Sequence, residues 1–309
     1  MKCGIVLALY NGEKYLMEQL DSLRKQSYPI DEVILYDDVS TDQTIDIVEN
    51  YIKKYNLTSW TLYKQIYNKG YIQNFKDALA LSTTDIVFLC DQDDIWEADK
   101  VQTCMNLFKE NNNLYCINTG YQLIDETGNI IQTHPYSNNS STITFSSIIK
   151  NNIAMGCTMA IRKCIIEEYL TYTTATAPHD WELNTLSAKH ENGLYFLAKP
   201  LINYRIHTNN TTGIDTYNQN GKHVFASTRE KNAYTMLQMT EALSVYTFTP
   251  EQEKELTVLN NFHKLRWELL HEHKTRYWFS LLRYHKIYSS IISFKGRIVD
   301  FIYSLKIKN

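Results

Sequence analysis

The sequence predicts an α/β fold, a Rossmann-like and mostly parallel sheet flanked by helices, followed by a helical extension at the C-terminus. Three observations predict it. Over the first hundred residues, short apolar runs alternate with segments whose apolar residues recur at helical spacing. Polar and acidic residues follow the apolar runs directly, at the strand ends where parallel sheets bind ligands. From about residue 226 onward the pattern is helical. A chain of 309 residues has room for one large α/β domain and an appendage.

The elements follow in order. Gly4–Leu9 is a short apolar strand. Glu13–Gln26 carries Leu16, Leu20 and Leu23 at helical spacing, and Tyr28-Pro29 stops it. Glu32–Tyr36 is a second strand. The next helix has Ile45, Val48 and Ile52 on one face, with Ser40 or Thr41 as its N-cap. Trp60–Gln65 is a third strand, Tyr71–Leu81 a helix and Asp85–Cys90 a fourth strand. A helix over about 98–110 leads to strands near 114–124, and Asp125–Asn129 reads as a hairpin turn. Ser137–Ser141 is a polar loop. Ala154–Ile161 is a strand followed by a helix, and Pro178–Glu182 opens another helix. Leu194–Ile206 reads as strands around Pro200, and Thr208–Gln219 as a polar, mobile segment. There are no internal repeats and no linker-like composition.

The bulk chemistry excludes several classes. The chain is 44% hydrophobic and 21% charged with a net charge of −3, so it is no general nucleic-acid binder. The average hides an asymmetry. Residues 263–309 hold ten Lys and Arg against three acids, a net +7 that leaves the first 262 residues at −10. Six cysteines show no Cys-x-x-Cys spacing, which predicts reduced thiols in a cytosolic protein. The run Ile5–Tyr10 is too short for a signal core. No stretch approaches the roughly 20 apolar residues of a membrane span.

The stretch "FLCDQDDIW" drives an apolar strand into Asp91, Asp93 and Asp94. Packed like charges raise one another's pKa unless a cation or solvent separates them. A hard divalent cation, Mg²⁺ or Mn²⁺, binds through one or two carboxylates and shares its remaining positions with phosphates. An Asp-x-Asp at a parallel strand end suits that role, although an acidic turn has the same letters. Asp37-Asp38 ends another strand, where a carboxylate can meet a base or ribose or simply charge a helix N-terminus. No Gly-x-Gly-x-x-Gly or Walker A pattern follows an early strand. An Asp-x-Asp phosphatase would need its carboxylates after the first strand, which ends here in Tyr10-Asn11-Gly12.

Seven motifs then occur in one order: "VLALYNGEKYLMEQLDSLRKQSY", "VILYDDVSTDQT", "NKGYIQNF", "FLCDQDDIW", "MGCTMAI", "PHDWEL" and "YRIHTNN". Over residues 1 to about 212 the chain resembles the family 2 glycosyltransferases, inverting enzymes with the GT-A fold that use nucleotide sugars. "DQDDIW" and "HDWEL" are closest in style to bacterial rhamnosyltransferase-like enzymes of capsule, O-antigen and cell-wall polysaccharide synthesis. The resemblance implies a catalytic domain over 1–225, with a donor half to residue 97 and an acceptor half over 98–225, and an extension over 226–309. It implies a nucleotide pocket of Ala8, Tyr10, Asn11, Asp37, Asp38, Asn68, Gly70 and Asp91. It implies a metal and diphosphate motif of Asp91 and Asp93, with Asp93 the direct ligand and His207 a further metal or diphosphate contact. Gly156 and Cys157, with His179 and Trp181, would lie where sugar meets acceptor, and Asp180 would be the catalytic base. Two residues depart from the family pattern: Val39 replaces the glycine of a "DDGS" turn, and His179 replaces an acid before the base.

The implied reaction transfers a sugar from dTDP-rhamnose or a UDP-hexose to a glycan acceptor, lipid-linked in such pathways, with Mn²⁺ or Mg²⁺ as cofactor. The alternative is a non-catalytic relative that binds nucleotide sugar or glycan. Arg205 reads as a surface cation. In the tail, Trp278, Leu281, Leu282, Ile291, Ile292, Ile298, Phe301, Ile302 and Leu305 recur at helical spacing with cations between them. That pattern suits a membrane interface on the cytoplasmic face as well as a cap on the catalytic domain, and no nucleic-acid motif accompanies it.

Overall fold

The computed structural model describes all residues except 134–138, 153–154, 173–176, 209–228, 273 and 306–309. Residues 137–138 of the expected polar loop, Ala154, and 209–219 of the expected mobile segment therefore lie outside the described residues. The chain divides into two compact units, Met1–Thr144 with Ile153–Thr211, and Phe145–Asn152 with Thr212–Asn309.

The first unit opens with β1 (Cys3–Leu9), α1 (Leu16–Arg24), β2 (Glu32–Asp37), α2 (Thr44–Tyr55), β3 (Trp60–Lys64), α3 (Tyr71–Leu81) and β4 (Ile86–Cys90). β3, β2, β1 and β4 lie side by side and parallel. β4 is buried along its whole length, and Leu16, Leu20 and Leu23 of α1 pack in the same core. A strand covered on both faces needs an unbroken apolar run, which is why Ile86–Cys90 shows no alternation.

The later part of the unit changes strand direction. It holds β5 (Ile95–Trp96), α4 (Lys100–Glu110), β6 (Cys116–Ile124), β7 (Ile130–Gln132) and β8 (Ser141–Thr142). After a four-residue helix α5 (Phe145–Ile148), which belongs to the second unit, come β9 (Met159–Arg162), α6 (Lys163–Thr171), α7 (His179–Ala188) and β10 (Leu194–Arg205). The sheet runs β3-β2-β1-β4-β9-β6-β10-β5, with β9 antiparallel to both its neighbours and β6 parallel to β10. This sheet with helices is the expected mostly parallel α/β architecture.

Three local expectations change. α2 starts at Thr44, and neither Ser40 nor Thr41 caps it. The Ser40 hydroxyl accepts from Asn11 N (2.9 Å) and Thr41 N donates to Asn11 Oδ1 (2.8 Å), so both residues tie two loops together. Leu194–Arg205 is a single strand whose register slips on both sides of Pro200, because proline has no N–H for the ladder. The strand expected from 154 begins only at Met159, since Gly156–Thr158 form one 3₁₀ turn.

The second unit is helical where described. α8 (Arg229–Leu243) and α9 (Pro250–Glu272) are followed by α10 (Thr275–Leu281), α11 (His285–Ile291) and α12 (Phe294–Ser304). Phe145 of α5 packs on Phe248, and Glu255 of α9 accepts hydrogen bonds from Ser146 and Lys150, so α5 belongs with these helices. Asp300 of α12 is fully buried and accepts from Arg229 of α8, Arg266 of α9 and Tyr288 of α11. Among the described residues no helix is long and apolar enough to cross a membrane.

Candidate active site at the strand ends

The polar ends of β1, β2 and β4 are bound into one another. Gln92 accepts from Tyr10 N (2.9 Å) and donates to Tyr10 O (2.8 Å), so its carboxamide clamps the β1 loop to the β4 loop. A side chain at Gly12 would place its Cβ 2.3 Å from Gln92 Oε1, so any larger residue would displace the Gln92 clamp. Ala8 is half-buried within β1, and Tyr10 is half exposed beyond it. Asn11 adopts φ 47° and reaches across to Thr41.

Asp37 and Asp38 divide their work. Asp38 Oδ1 accepts from Lys69 N and Oδ2 from Gly70 N, both at 2.8 Å, while Asn68 Nδ2 donates to the Asp38 carbonyl (3.0 Å). Asp38 thus shapes the Asn68–Gly70 turn, in which Gly70 takes φ 79°. Asp37 accepts from Ser40 N (2.9 Å) through Oδ2, and its buried Oδ1 meets no protein partner. Between them Val39 sits at φ 67°, a left-handed conformation that a β-branched residue resists. The strained position is the one where the family pattern has glycine.

The β4 end gathers the acids. Carboxylate oxygens of Asp91 and Asp94 and the Cys157 Sγ all lie within 4.8 Å of one another. Asp94 and Cys157 are buried, and one Asp94 oxygen, Oδ2, has no protein partner. Burial, followed by the charges of Asp93 and Asp180, raises the Asp91 pKa to about 7, while the Cys157 S–H opposes the rise. Burial and then Asp93 and Asp91 push Asp94 well above the usual carboxylate range. Beneath them Lys100 is fully buried, donates to the Cys157 carbonyl (2.9 Å) and lies 3.7 Å from the Trp96 ring centre. Burial lowers the Lys100 pKa to about 8. Crowded carboxylates with raised pKa and an orphan buried oxygen are what a divalent cation would relieve, so the donor set fits one.

Asp93 Oδ2 meets His207 Nε2 at 2.8 Å, and the His207 ring packs against Tyr15, centroids 5.0 Å apart. Among the described residues, the potential donor atoms that cluster belong to Asp91, Asp94 and Cys157. The sequence offers Asp94 among the strand-end acids, but the Asp-x-Asp spacing points to Asp91 and Asp93. Only the turn after β4 decides which carboxylate points inward.

Asp180 and its neighbours come from the first turn of α7. Asp180 is half-buried, its Oδ1 accepts from Trp181 N (2.8 Å), and its charge is felt by both Asp91 and Tyr71. His179 is buried, stacks on Phe75 with ring centres 4.4 Å apart, and has no protein partner for either ring nitrogen. Burial lowers its pKa to about 4, so it is neutral at physiological pH. A Cβ on Gly156 would fall 3.0 Å from His179 Nε2 and 3.6 Å from Asp180 Cβ, which places the Gly156–Cys157 turn directly against Asp180. Trp181 is a correction. At 3% exposure it is a core residue of α7 and offers no ring face to a sugar.

Arg205 is the second correction. Expected at the surface, it is 1% exposed at the end of β10. Its guanidinium reaches three separate segments, and the only sequence signal was its position at the close of a long apolar run.

Comparison with known proteins agrees with this geometry. Residues 4–170 match the profile described as "Glycosyl transferase family 2", more than half of the chain. The protein belongs to that family and is a glycosyltransferase. It is 27% identical over 219 residues to a dTDP-rhamnosyl transferase, RfbG, of Shigella flexneri, covering 67% of this chain and 73% of the relative. It is 41% identical over 96 residues to the poly(ribitol-phosphate) β-N-acetylglucosaminyltransferase TarS of Staphylococcus aureus, covering 30% of this chain but only 16% of that one. Among solved structures, S. aureus TarS 1–349 in complex with UDP-GlcNAc superposes with a TM-score of 0.66 at 17% identity, over 99% of this chain and 89% of that one. A mannosyltransferase from Pyrobaculum calidifontis in complex with GDP-Man and Mn²⁺ superposes with a TM-score of 0.56 at 15% identity, over 96% and 78%. At these identities the superpositions establish the shared GT-A fold.

Proposed function

We propose that this protein is an inverting glycosyltransferase that moves a sugar from a nucleoside-diphosphate donor, dTDP-rhamnose or a UDP-hexose, to a glycan acceptor in bacterial surface polysaccharide synthesis. The observation that carries the reading is the convergence of Asp180 with the Asp91–Asp94 cluster, close enough for each charge to act on the other. Inversion needs one in-line displacement, with a base taking the acceptor proton opposite a neutralised leaving group. Asp180 is the base. Asp91 and Asp94, with Cys157 beside them, would hold Mn²⁺ or Mg²⁺, and Asp93 with His207 flanks them. The cation would supply charge neutralisation for the departing diphosphate. Asp37, with its free buried oxygen, and the loop of Tyr10, Asn11, Asn68 and Gly70 would receive the nucleoside. The Pyrobaculum calidifontis mannosyltransferase in complex with GDP-Man and Mn²⁺ supports the cofactor class.

The acceptor is lipid-linked in this reading, and the second unit meets the cytoplasmic face of the plasma membrane. Its α10 and α12 expose Phe279, Phe294, Ile298 and Ile302, while residues 263–309 carry a net +7. Apolar side chains among cations suit an anionic lipid surface. Truncation at 263 would remove Asp300 and half of α9, so the informative variant replaces Phe279, Phe294 and Ile302 with Ser. Loss of sedimentation with phosphatidylglycerol vesicles is expected. A wild-type protein that never sediments with them ends the membrane reading.

The test of function is thermal stability with UDP, dTDP, their sugars and Mn²⁺, followed by turnover. A ligand bound only by the folded state raises the melting temperature by mass action. A metal-dependent shift with one nucleotide series names the donor base. Binding without any transfer to glycan acceptors would instead favour a non-catalytic sugar-binding relative.

A further inference from the structure

We infer that Arg205 is a positioning residue that sets the geometry of the carboxylate loop and of His207. The side chain is buried, and its guanidinium is shared among backbone carbonyls and one carboxylate. Nε donates to the Asp93 carbonyl (2.9 Å), and Nη1 donates to the carbonyls of Asp125 (3.3 Å) and Glu126 (3.1 Å). Nη2 donates to Glu18 Oε2 (2.5 Å), on the exposed side of α1. Its backbone N–H donates to Asp94 Oδ1 (3.1 Å). One residue therefore holds the backbone of Asp93, the carboxylate of Asp94, the β6–β7 turn and α1.

The guanidinium plane also orders the next shell. Its centre lies 4.6 Å from the Tyr15 ring, which also packs against His207, the residue that meets Asp93 Oδ2, and carries the Lys14 ammonium 4.8 Å from its centre. The β6–β7 turn is itself rigid, because the Asp125 side chain accepts from Thr127 N and Asn129 N, both at 2.9 Å. Its carbonyls are thus fixed anchors for the guanidinium. Burying a charge is expensive, and a planar fork with several donors can satisfy the Asp93 carbonyl, the turn carbonyls and the Glu18 carboxylate at once. A lysine reaches from a single point and cannot span the same acceptors. Leu201, Ile202 and Tyr204 beside it are buried, so a leucine or methionine would serve if packing were the only demand.

The inference rests on reading Asp91–Asp94 as the metal and diphosphate motif, and its test separates the two. Arg205→Lys and Arg205→Gln are compared with wild type by melting temperature, by Mn²⁺ titration in electron paramagnetic resonance, and by amide hydrogen exchange. Arg205→Lys is expected to bind Mn²⁺ at least tenfold more weakly than wild type while most molecules remain folded. Exchange should rise in peptides covering 91–96 and 123–127 but not in β1 or α2. In Arg205→Gly, millimolar guanidinium ion should restore part of the Mn²⁺ affinity. A folded Arg205→Lys with wild-type Mn²⁺ affinity overturns the inference, as does a uniform rise in exchange across the unit. If wild type itself ignores Mn²⁺, the metal reading falls, and unchanged exchange at 91–96 in Arg205→Lys then overturns the positioning role as well.

Discussion

Two buried carboxylate centres, one in each unit, show opposite solutions to the same electrostatic problem. In the helical unit Asp300 receives Arg229 (2.7 Å), Arg266 (3.0 Å) and the Tyr288 hydroxyl (2.8 Å), so its charge is paired and its oxygens are occupied. In the sheet unit Asp94 faces Asp91 and Asp93, keeps one oxygen without a partner, and accepts at the other from Arg205 N, while Lys100 holds the Cys157 carbonyl. The first arrangement is complete in itself and joins helices. The second leaves a buried oxygen that the proposed cation would satisfy. Satisfied charges tell of stability, while orphaned ones at a strand end tell of ligand.

The largest expected effect lies in the sheet unit. Asp180→Asn should lower turnover by roughly 10²- to 10⁴-fold while leaving the nucleotide-dependent melting shift in place. Normal turnover in that variant would remove Asp180 as the base. Asp300→Ala is the matching break in the helical unit. It leaves Arg266 and Arg229 without their acceptor and should destabilise by about 3–5 kcal/mol in chemical denaturation. Asp94→Asn sharpens the contrast. It relieves like-charge repulsion, so the metal-free protein should be as stable as wild type or more so, and Mn²⁺ affinity should drop. A loss of stability comparable to that of Asp300→Ala would show that Asp94 is structural too.

Each unit also buries a histidine whose ring nitrogens have no protein partner, His179 and His263. Burial lowers their pKa values to about 4 and about 3. A histidine with a depressed folded pKa supports the fold fully above its unfolded pKa and loses that support as pH falls toward the folded value. Stability should therefore decline from about pH 6.5 to pH 4, by roughly 3 kcal/mol for each histidine. His179→Phe should flatten the decline in the sheet unit alone, and an unchanged pH profile would contradict its burial as a neutral ring. The smallest effect is at the β2 turn. Val39→Gly removes left-handed strain, offset in part by glycine's backbone freedom, and should raise stability by about 0.5–1 kcal/mol. Denaturant midpoints would register it, and a fall would show that the turn prefers valine for its packing.

Much of this molecule was legible in the residues themselves. The alternation through β4, the full burial of Ile86–Cys90 and the helix Tyr71–Leu81 follow from local periodicity, because one covered face or two leaves a pattern in consecutive letters. The family was legible for the same reason, since seven short motifs lie in order along one chain. What local sequence could not determine is which of several adjacent polar groups faces inward. Asp93 and Asp94 differ by one position, Arg205 and a surface arginine have the same letter, and Trp181 could pack either way. Tertiary structure decided those cases. The turn after β4, the arrival of β10 111 residues later and the approach of α7 assigned each side chain its dielectric and its partners. Charge and hydrogen-bonding capacity are written in the sequence, but whether a charge is solvated, paired or left waiting for a ligand depends on what distant segments bring to it.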